Sequence, residues 1–274
     1  MRSVKSSGDV MKVGFIGAGR MGSALIKSFL DAGVMKARDI IASDKDEGKL
    51  KALAGLNVAT TSNNREVAKK VDTIFLAVKP GEVSKVLDEI KDLAGEKLIV
   101  SIAAGIPTKL IEGKLGSKVR VVRVMPNMPC AVGEGTTAYC LGKSASKKDR
   151  EIVKKLFGSV GIAVELKEEL IDAATGLSGS GPAYFYLIIK AMADAGVKEG
   201  LSKDVAEKLA AQTAKGAGAM VLKSGKTPDE LIDMVRSPGG TTAEGLETME
   251  ERKVAEAMIE AVKAATKKAR ELAR

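Results

Sequence analysis

Gly17, Gly19 and Gly22 stand at the spacing G-x-G-x-x-G, and the chemistry this spacing serves is phosphate binding. Gly17 permits a tight turn, Gly19 lets a pyrophosphate approach backbone N–H groups at a helix N-terminus, and Gly22 lets that helix pack closely on its strand. The context fits. Val13, Phe15 and Ile16 read as a short apolar strand before the turn, and Ala24, Leu25, Ser28 and Phe29 recur at helical spacing after it. Arg20 adds a positive charge between the glycines. An acidic residue suited to a ribose follows at Asp44, at the end of the apolar run Ile40–Ala42.

A second stretch, Ser237-Pro-Gly-Gly-Thr-Thr242, also carries chemistry. Thr241 is expected to cap a helix, with Glu244 at its third position. Free amides, a positive helix end and two hydroxyls suit a small carboxylate. Histidine is absent from the chain. Alcohol and hydroxy-acid dehydrogenases move a hydroxyl proton through a side-chain acid or base, so chemistry here must proceed without imidazole.

These residues must be positioned by elements. Further strands are expected at Leu56–Ala59, Thr73–Ala77, Leu98–Ile102, Val119–Val124, Thr136–Leu141 and Ile162–Glu165, with helices at 46–53, 66–70, 82–93, 108–114 and 147–157. This alternation predicts βαβ crossovers and a parallel sheet. Ligands of such sheets bind outside the carboxyl ends of the strands. Three loops there, 77–80, 101–105 and 125–129, point to one crevice. After a boundary near Leu166 the pattern is helical throughout. Pro182 opens a helix so apolar that it must be a bundle axis or a subunit interface. Ser202 is placed to cap the next helix, whose stripe is Val205, Leu209, Thr213, Ala217 and Met220. Thr227-Pro-Asp-Glu230 reads as a capping box. A final helix, 254–272, presents Ala257, Ala261, Ala265 and Ala269 on one side.

The 274 residues carry a net charge of +9, which favours anionic ligands, and the lysines and arginines look dispersed over solvated helix faces. Nucleic acid is disfavoured as a partner, because tryptophan is absent and three of the eight aromatics fall together at 184–186. Cys130 and Cys140 suggest buried thiols rather than a disulfide framework, and no metal site is expected. No apolar run reaches membrane-spanning length. Residues 1–10 lack the apolar core of a secretory signal and read as a loose extension or a non-native remnant, which makes the cytoplasm the expected location.

Gly14-Phe-Ile-Gly-Ala-Gly-Arg-Met21, Phe75-Leu-Ala-Val-Lys-Pro80, Ser101-Ile-Ala-Ala-Gly105, Arg123-Val-Met-Pro-Asn127, Leu177-Ser-Gly-Ser-Gly-Pro-Ala183 and Asp233-Met-Val-Arg-Ser-Pro-Gly-Gly-Thr-Thr242 together resemble the successive motifs of pyrroline-5-carboxylate reductases, over nearly the whole chain. The resemblance implies an α/β fold, with an N-terminal Rossmann dinucleotide-binding domain (11–166) followed by an all-α substrate-binding and dimerisation domain (167–274). It implies hydride transfer from NADPH or NADH to the cyclic imine 1-pyrroline-5-carboxylate, giving L-proline, in a homodimer that can assemble further into a decamer. Carried over by position, Ile16, Gly17, Ala18, Gly19, Arg20 and Met21 meet the pyrophosphate, and Ser43, Asp44 and Lys45 face the adenosine ribose. Asn64, Ala77, Val78, Lys79 and Pro80 line the dinucleotide; Ala103, Ala104, Gly105 and Asn127 lie toward the nicotinamide. Ser237, Gly239, Gly240, Thr241 and Thr242 hold the substrate carboxylate, with the Thr242 hydroxyl near the imine nitrogen as the catalytic group.

Two departures touch the cofactor contacts: Arg20 stands where the family often has Asn, and Met128 where it often has Thr. Asp44 would favour NADH, whereas Ser43, Lys45 and Arg20 would receive the 2′-phosphate of NADPH, towards which the resemblance leans. Two other readings remain. One is a β-hydroxyacid dehydrogenase using Lys190, which lies farther from the glycine-rich motif than that family's lysine. The other is a non-enzymatic NAD(P)-sensing dimer, for which no docking element is visible.

Overall fold

The computed structural model describes residues 11–272. Its first part alternates strands and helices: β1 (Val13–Ile16), α1 (Arg20–Asp31), β2 (Ile40–Ser43), α2 (Glu47–Ala54), β3 (Ala59–Thr61), α3 (Asn64–Lys70), β4 (Thr73–Leu76), α4 (Pro80–Ala94), β5 (Leu98–Ser101), α5 (Thr108–Leu115), β6 (Arg120–Met125), β7 (Gly135–Leu141), α6 (Lys147–Gly158) and β8 (Gly161–Glu165). The strands form one eight-stranded sheet in the order β3-β2-β1-β4-β5-β6-β7-β8. The order reverses direction between β1 and β4, which opens a crevice at their carboxyl ends.

Two expectations are corrected. The sheet is parallel except where β6 pairs antiparallel with β7. The link between them, 126–134, holds only a 3₁₀ turn, Met128–Val132, and is too short for a helical crossover. The third strand lies at Ala59–Thr61 rather than 56–59, because Asn57 has φ 60° and turns the chain inside the expected run.

The strands are apolar on both faces because both are covered. Phe15 and Phe75 stack with ring centroids 4.5 Å apart, and Phe29 of α1 and Phe157 of α6 close on them edge-on or tilted. Each such pair contributes about 0.5–1.5 kcal/mol beyond its buried area. On the other face, Val67 of α3, Leu87 and Ile90 of α4 and Ile111 of α5 cover Ile74 and Ile99.

The remaining helices are α7 (Ile171–Ala174), α8 (Gly181–Lys198), α9 (Lys203–Lys223), α10 (Pro228–Val235), α11 (Thr241–Glu251) and α12 (Val254–Leu272). Strand structure ends with β8, but the compact units divide later: Ser180–Ala264 forms one, and the remaining described residues the other. The shift from the expected boundary at Leu166 has a packing cause. Leu166, Ile171 and Ala174 pack with Met125, Ala138 and Cys140 of the sheet. Arg123 of β6, almost fully buried, donates to Asp172 at 2.6 Å, and its guanidinium lies 3.7 Å from Glu168.

Within the second unit, α8 and α9 meet along Ala193, Ala206 and Ala210, small residues that let the helices approach closely. Of the α9 stripe, Val205, Leu209 and Met220 are exposed in the single chain, as are Phe185, Tyr186 and Leu187 of α8. Of the two roles expected for α8, bundle axis or subunit interface, the exposure matches the second. Ser202 is at the N-cap of α9 but its side chain makes no capping bond. The box at Thr227 and Glu230 forms as expected.

Candidate active site

The crevice is built on β1, β2 and β4. Gly17, with φ +104°, donates its N–H to Ser43 O at 2.8 Å. A Cβ there would lie 2.5 Å from Ala77 O, and one on Gly22 would lie 2.5 Å from Gly17 O. Backbone approach therefore demands both glycines. Gly19 differs: a Cβ there would meet nothing within 4 Å, so its missing side chain leaves open space above the end of α1. Gly19 is the N-cap of α1, no side chain caps it, and no acidic residue sits in the first turn. An uncapped positive helix end beneath open space fits a diphosphate.

Beside it lies a cavity of about 410 Å³, a volume in the range of small-ligand pockets. Nine of the expected cofactor residues line it: Gly17, Gly19, Ser43, Asp44, Lys45, Asn64, Ala77, Val78 and Lys79. Asp46, Lys49, Glu82 and Val86 line it too and were not anticipated. They face the cavity from the N-terminal ends of α2 and α4, a position readable only once those helices are placed.

The others lie elsewhere. Ile16 and Ala18 are buried, with only the Ala18 N–H engaged toward Asp44, while the Arg20 side chain is exposed and Met21 packs on the core. Pro80 is the first residue of α4, following a Lys79 N-cap without a side-chain capping bond. Ala103 is buried, Ala104 half-buried, and Gly105 holds φ +75° in the loop after β5. Asn127 is buried and committed on both sides: its Oδ1 accepts from Thr136 N–H at 2.8 Å and its Nδ2 donates to Ser178 O at 3.0 Å. It ties the loop after β6 to a short π-helical turn, Thr175–Gly179.

Asp44 sets the electrostatics of the cavity. Burial pushes its carboxyl up, but hydrogen bonds from the N–H groups of Asp46 (3.0 Å) and Ala18 (2.8 Å), with Lys49 at 3.4 Å, outweigh this and hold it below the usual carboxylate range. It is therefore an anion near neutrality. Ser43 is fully buried and donates to Asn64 Oδ1 at 2.8 Å, while Lys45 pairs with Glu82 at 3.2 Å. Two of the three groups expected to receive a 2′-phosphate thus already have partners.

The second helix tip belongs to α11. Ser237 O accepts from Gly240 N–H at 3.0 Å across Pro238 and Gly239, whose φ is +67°, as in a type II turn. The turn ends at Gly240, which becomes the N-cap; Thr241 is the first helical residue, so the expected Thr241 cap with Glu244 does not form. A Cβ on Gly240 would strike Ser237 Oγ at 2.3 Å. No side chain caps α11, and the N–H groups of Thr241 and Thr242 have no acceptor among the described residues. Thr242 is half-buried and Thr241 exposed.

Comparison with known proteins decides the family. The chain is 44% identical to pyrroline-5-carboxylate reductase of Methanosarcina acetivorans, over 95% of this chain and 97% of that one. It is 43% identical to the Arabidopsis thaliana enzyme of the same name, over 96% of each. The chain belongs to the pyrroline-5-carboxylate reductase family. A family model for pyrroline-5-carboxylate reductase dimerisation matches residues 168–272, and one for coenzyme F420-dependent NADP oxidoreductases matches residues 12–105. The crystal structure of Plasmodium falciparum pyrroline carboxylate reductase with NADP bound superposes with a TM-score of 0.88 at 39% identity, covering 96% of this chain and 98% of that one.

As a pyrroline-5-carboxylate reductase family member, the chain is an oxidoreductase with a dimerisation domain, which accounts for the exposed apolar residues of α8 and α9. Family membership also displaces the dehydrogenase reading. Lys190 is exposed, and its hydrogen bond to Asp194 at 2.5 Å raises its pKa and holds it protonated. Both cysteines are free and buried; burial pushes the Cys140 thiol up to about 12, so it carries no nucleophilic thiolate at neutral pH.

Proposed function

We propose that the protein reduces 1-pyrroline-5-carboxylate to L-proline with NADPH or NADH, as a cytoplasmic homodimer that can assemble into a decamer. The observation that carries the proposal is the pair of uncapped helix N-termini, α1 behind Gly19 and α11 behind Gly240, in a chain without histidine. When bound, the reduced nicotinamide supplies a hydride. The N–H groups at the start of α1 hold the diphosphate, while Asp44 and the walls formed by Asn64 and Ala77–Lys79 orient the adenosine end.

The amides of Thr241 and Thr242 hold the substrate carboxylate, with Ser237, Gly239 and Gly240 shaping the turn beside them. The Thr242 hydroxyl hydrogen-bonds at the imine nitrogen. Ala103, Ala104, Gly105 and Asn127 shape the nicotinamide end, Asn127 by fixing the loop that carries it. An imine takes up a proton readily and its iminium accepts hydride directly, so the side chains need only fix orientation and exclude water.

Steady-state oxidation of NADPH and NADH with 1-pyrroline-5-carboxylate tests the proposal. Turnover with L-proline as product supports it, and failure to oxidise either cofactor overturns it. Light scattering reads the assembly: a monomer would refute the dimer, and a dimer without larger species would refute the decamer.

A further inference from the structure

Seven of the 44 lysines and arginines gather at one place. At the edge of the sheet opposite the crevice, where β1, β4, β5 and β6 begin, lies a concavity of about 850 Å³. Lys12, Lys69, Lys148 and Lys155 line it, and none of them has a carboxylate within 4.0 Å among the described residues. Lys70, Lys97 and Arg120 line it as well, and each has a local partner: Glu66, the Val71 carbonyl, and Asp149 with the Glu96 carbonyl. Asp72 is the one acidic residue of the lining.

With Lys70 and Arg120 matched by Glu66 and Asp149, Lys12, Lys69, Lys97, Lys148 and Lys155 surround Asp72 and repel one another unless a counter-charge enters. Part of the lining is apolar: Met11, Val34 and Ile152 are half-buried there, above the buried Val71 and Leu156. A cationic rim over an apolar floor matches a ligand with a multiply charged end and a flat organic end.

We propose that this concavity is a second anion site, separate from the crevice, that binds an organic polyphosphate of the nucleoside triphosphate class. The four unpaired lysines hold the phosphates, and the base lies on Met11, Val34 and Ile152. The proposal does not rest on the reductase reading, because its readout is binding rather than turnover.

Calorimetric titration of the full-length protein, saturated with NADPH so that the crevice is filled, with ATP and with inorganic tripolyphosphate tests it. ATP should bind with a Kd below about 1 mM, more tightly than tripolyphosphate, and more weakly as salt is raised. Lys12→Glu combined with Lys148→Glu should weaken ATP binding at least tenfold with Tm unchanged, and Lys69→Glu with Lys155→Glu should do the same. Absence of ATP binding, equal binding of tripolyphosphate, or indifference to both double variants would overturn it.

Discussion

Gly17→Ala and Gly19→Ala remove glycines two residues apart, yet the structure assigns them opposite effects. At Gly17 the new methyl would sit 2.5 Å from the Ala77 carbonyl oxygen and 2.7 Å from its carbon. Neither side can retreat: Ala77 N–H is bonded to Ile16 O at 2.8 Å, and Gly17 N–H to Ser43 O at 2.8 Å. The positive φ costs an alanine about 1–2 kcal/mol, and the overlap about 1–3 kcal/mol more. A loss of about 2–5 kcal/mol should lower Tm by about 4–20 °C for a chain of this size. At Gly19, φ is −67° and a methyl touches nothing, so folding should change by less than about 1 kcal/mol, the weaker N-cap propensity of alanine included. The methyl instead occupies the space above the N–H groups of α1. Loss of one hydrogen bond to a charged phosphate, about 1.5–3 kcal/mol, raises the NADPH Kd by about 10- to 150-fold. Melting curves of the cofactor-free proteins and fluorescence titrations with NADPH, at one ionic strength, read both quantities. The reasoning fails if Gly17→Ala melts within 2 °C of the parent, or if Gly19→Ala binds NADPH unchanged.

Asp44→Ser removes the anion from the cavity wall. Two like charges at 4 Å repel by about 1 kcal/mol in water and about 4 kcal/mol near a protein surface, so kcat/KM for NADPH relative to NADH should rise at least about fivefold; an unchanged ratio would remove Asp44 from cofactor discrimination. Because the Asp44 pKa is lowered on folding, its stabilising effect is complete above the ordinary carboxylate value of 3.8 and is lost as pH falls through the lower folded value. Asp44→Asn should therefore flatten the most acidic limb of a stability–pH profile, and an identical limb would count against the assignment. Thr242→Ala should lower kcat/KM for the imine by about 5- to 150-fold, the worth of one hydrogen bond to a charged group, with the Kd for NADPH unaltered. Equal kcat/KM would exclude the hydroxyl from the reaction. Arg123→Met takes the cation from Asp172 and Glu168; Glu168 keeps its two hydrogen bonds from Thr108 and both carboxylates keep some contact with water, so the cost should fall at the low end, about 3 kcal/mol. A melting curve displaced by less than 2 °C would show that this network does not hold the 167–172 segment to β6.

What could be read from the sequence and what could not divides along one physical line. Local order was legible wherever residue type fixes backbone geometry within a few positions: the glycine turn at 17–22, the Thr227–Glu230 box, the Pro182 helix start. It failed where a neighbouring turn had first claim on the backbone. Asn57 bends the chain inside an apolar run that reads as strand. The bond from Gly240 N–H to Ser237 O moves the start of α11 so that Thr241, which has the capping pattern, is left one residue inside. Nothing near Asn127 in the chain shows that its amide is committed to Thr136 and Ser178, nine and fifty-one positions away. The basic concavity was invisible for the same reason. Lys12, Lys69, Lys148 and Lys155 carry no mutual signal in the chain and meet only because the fold brings the start of β1, the end of α3 and one face of α6 to the same edge of the sheet. The topology that gathers the strands' carboxyl ends into a crevice thus gathers their amino ends as well. Charge at the first edge was expected because a glycine motif marks it, whereas charge at the second needs the fold before it can be seen at all.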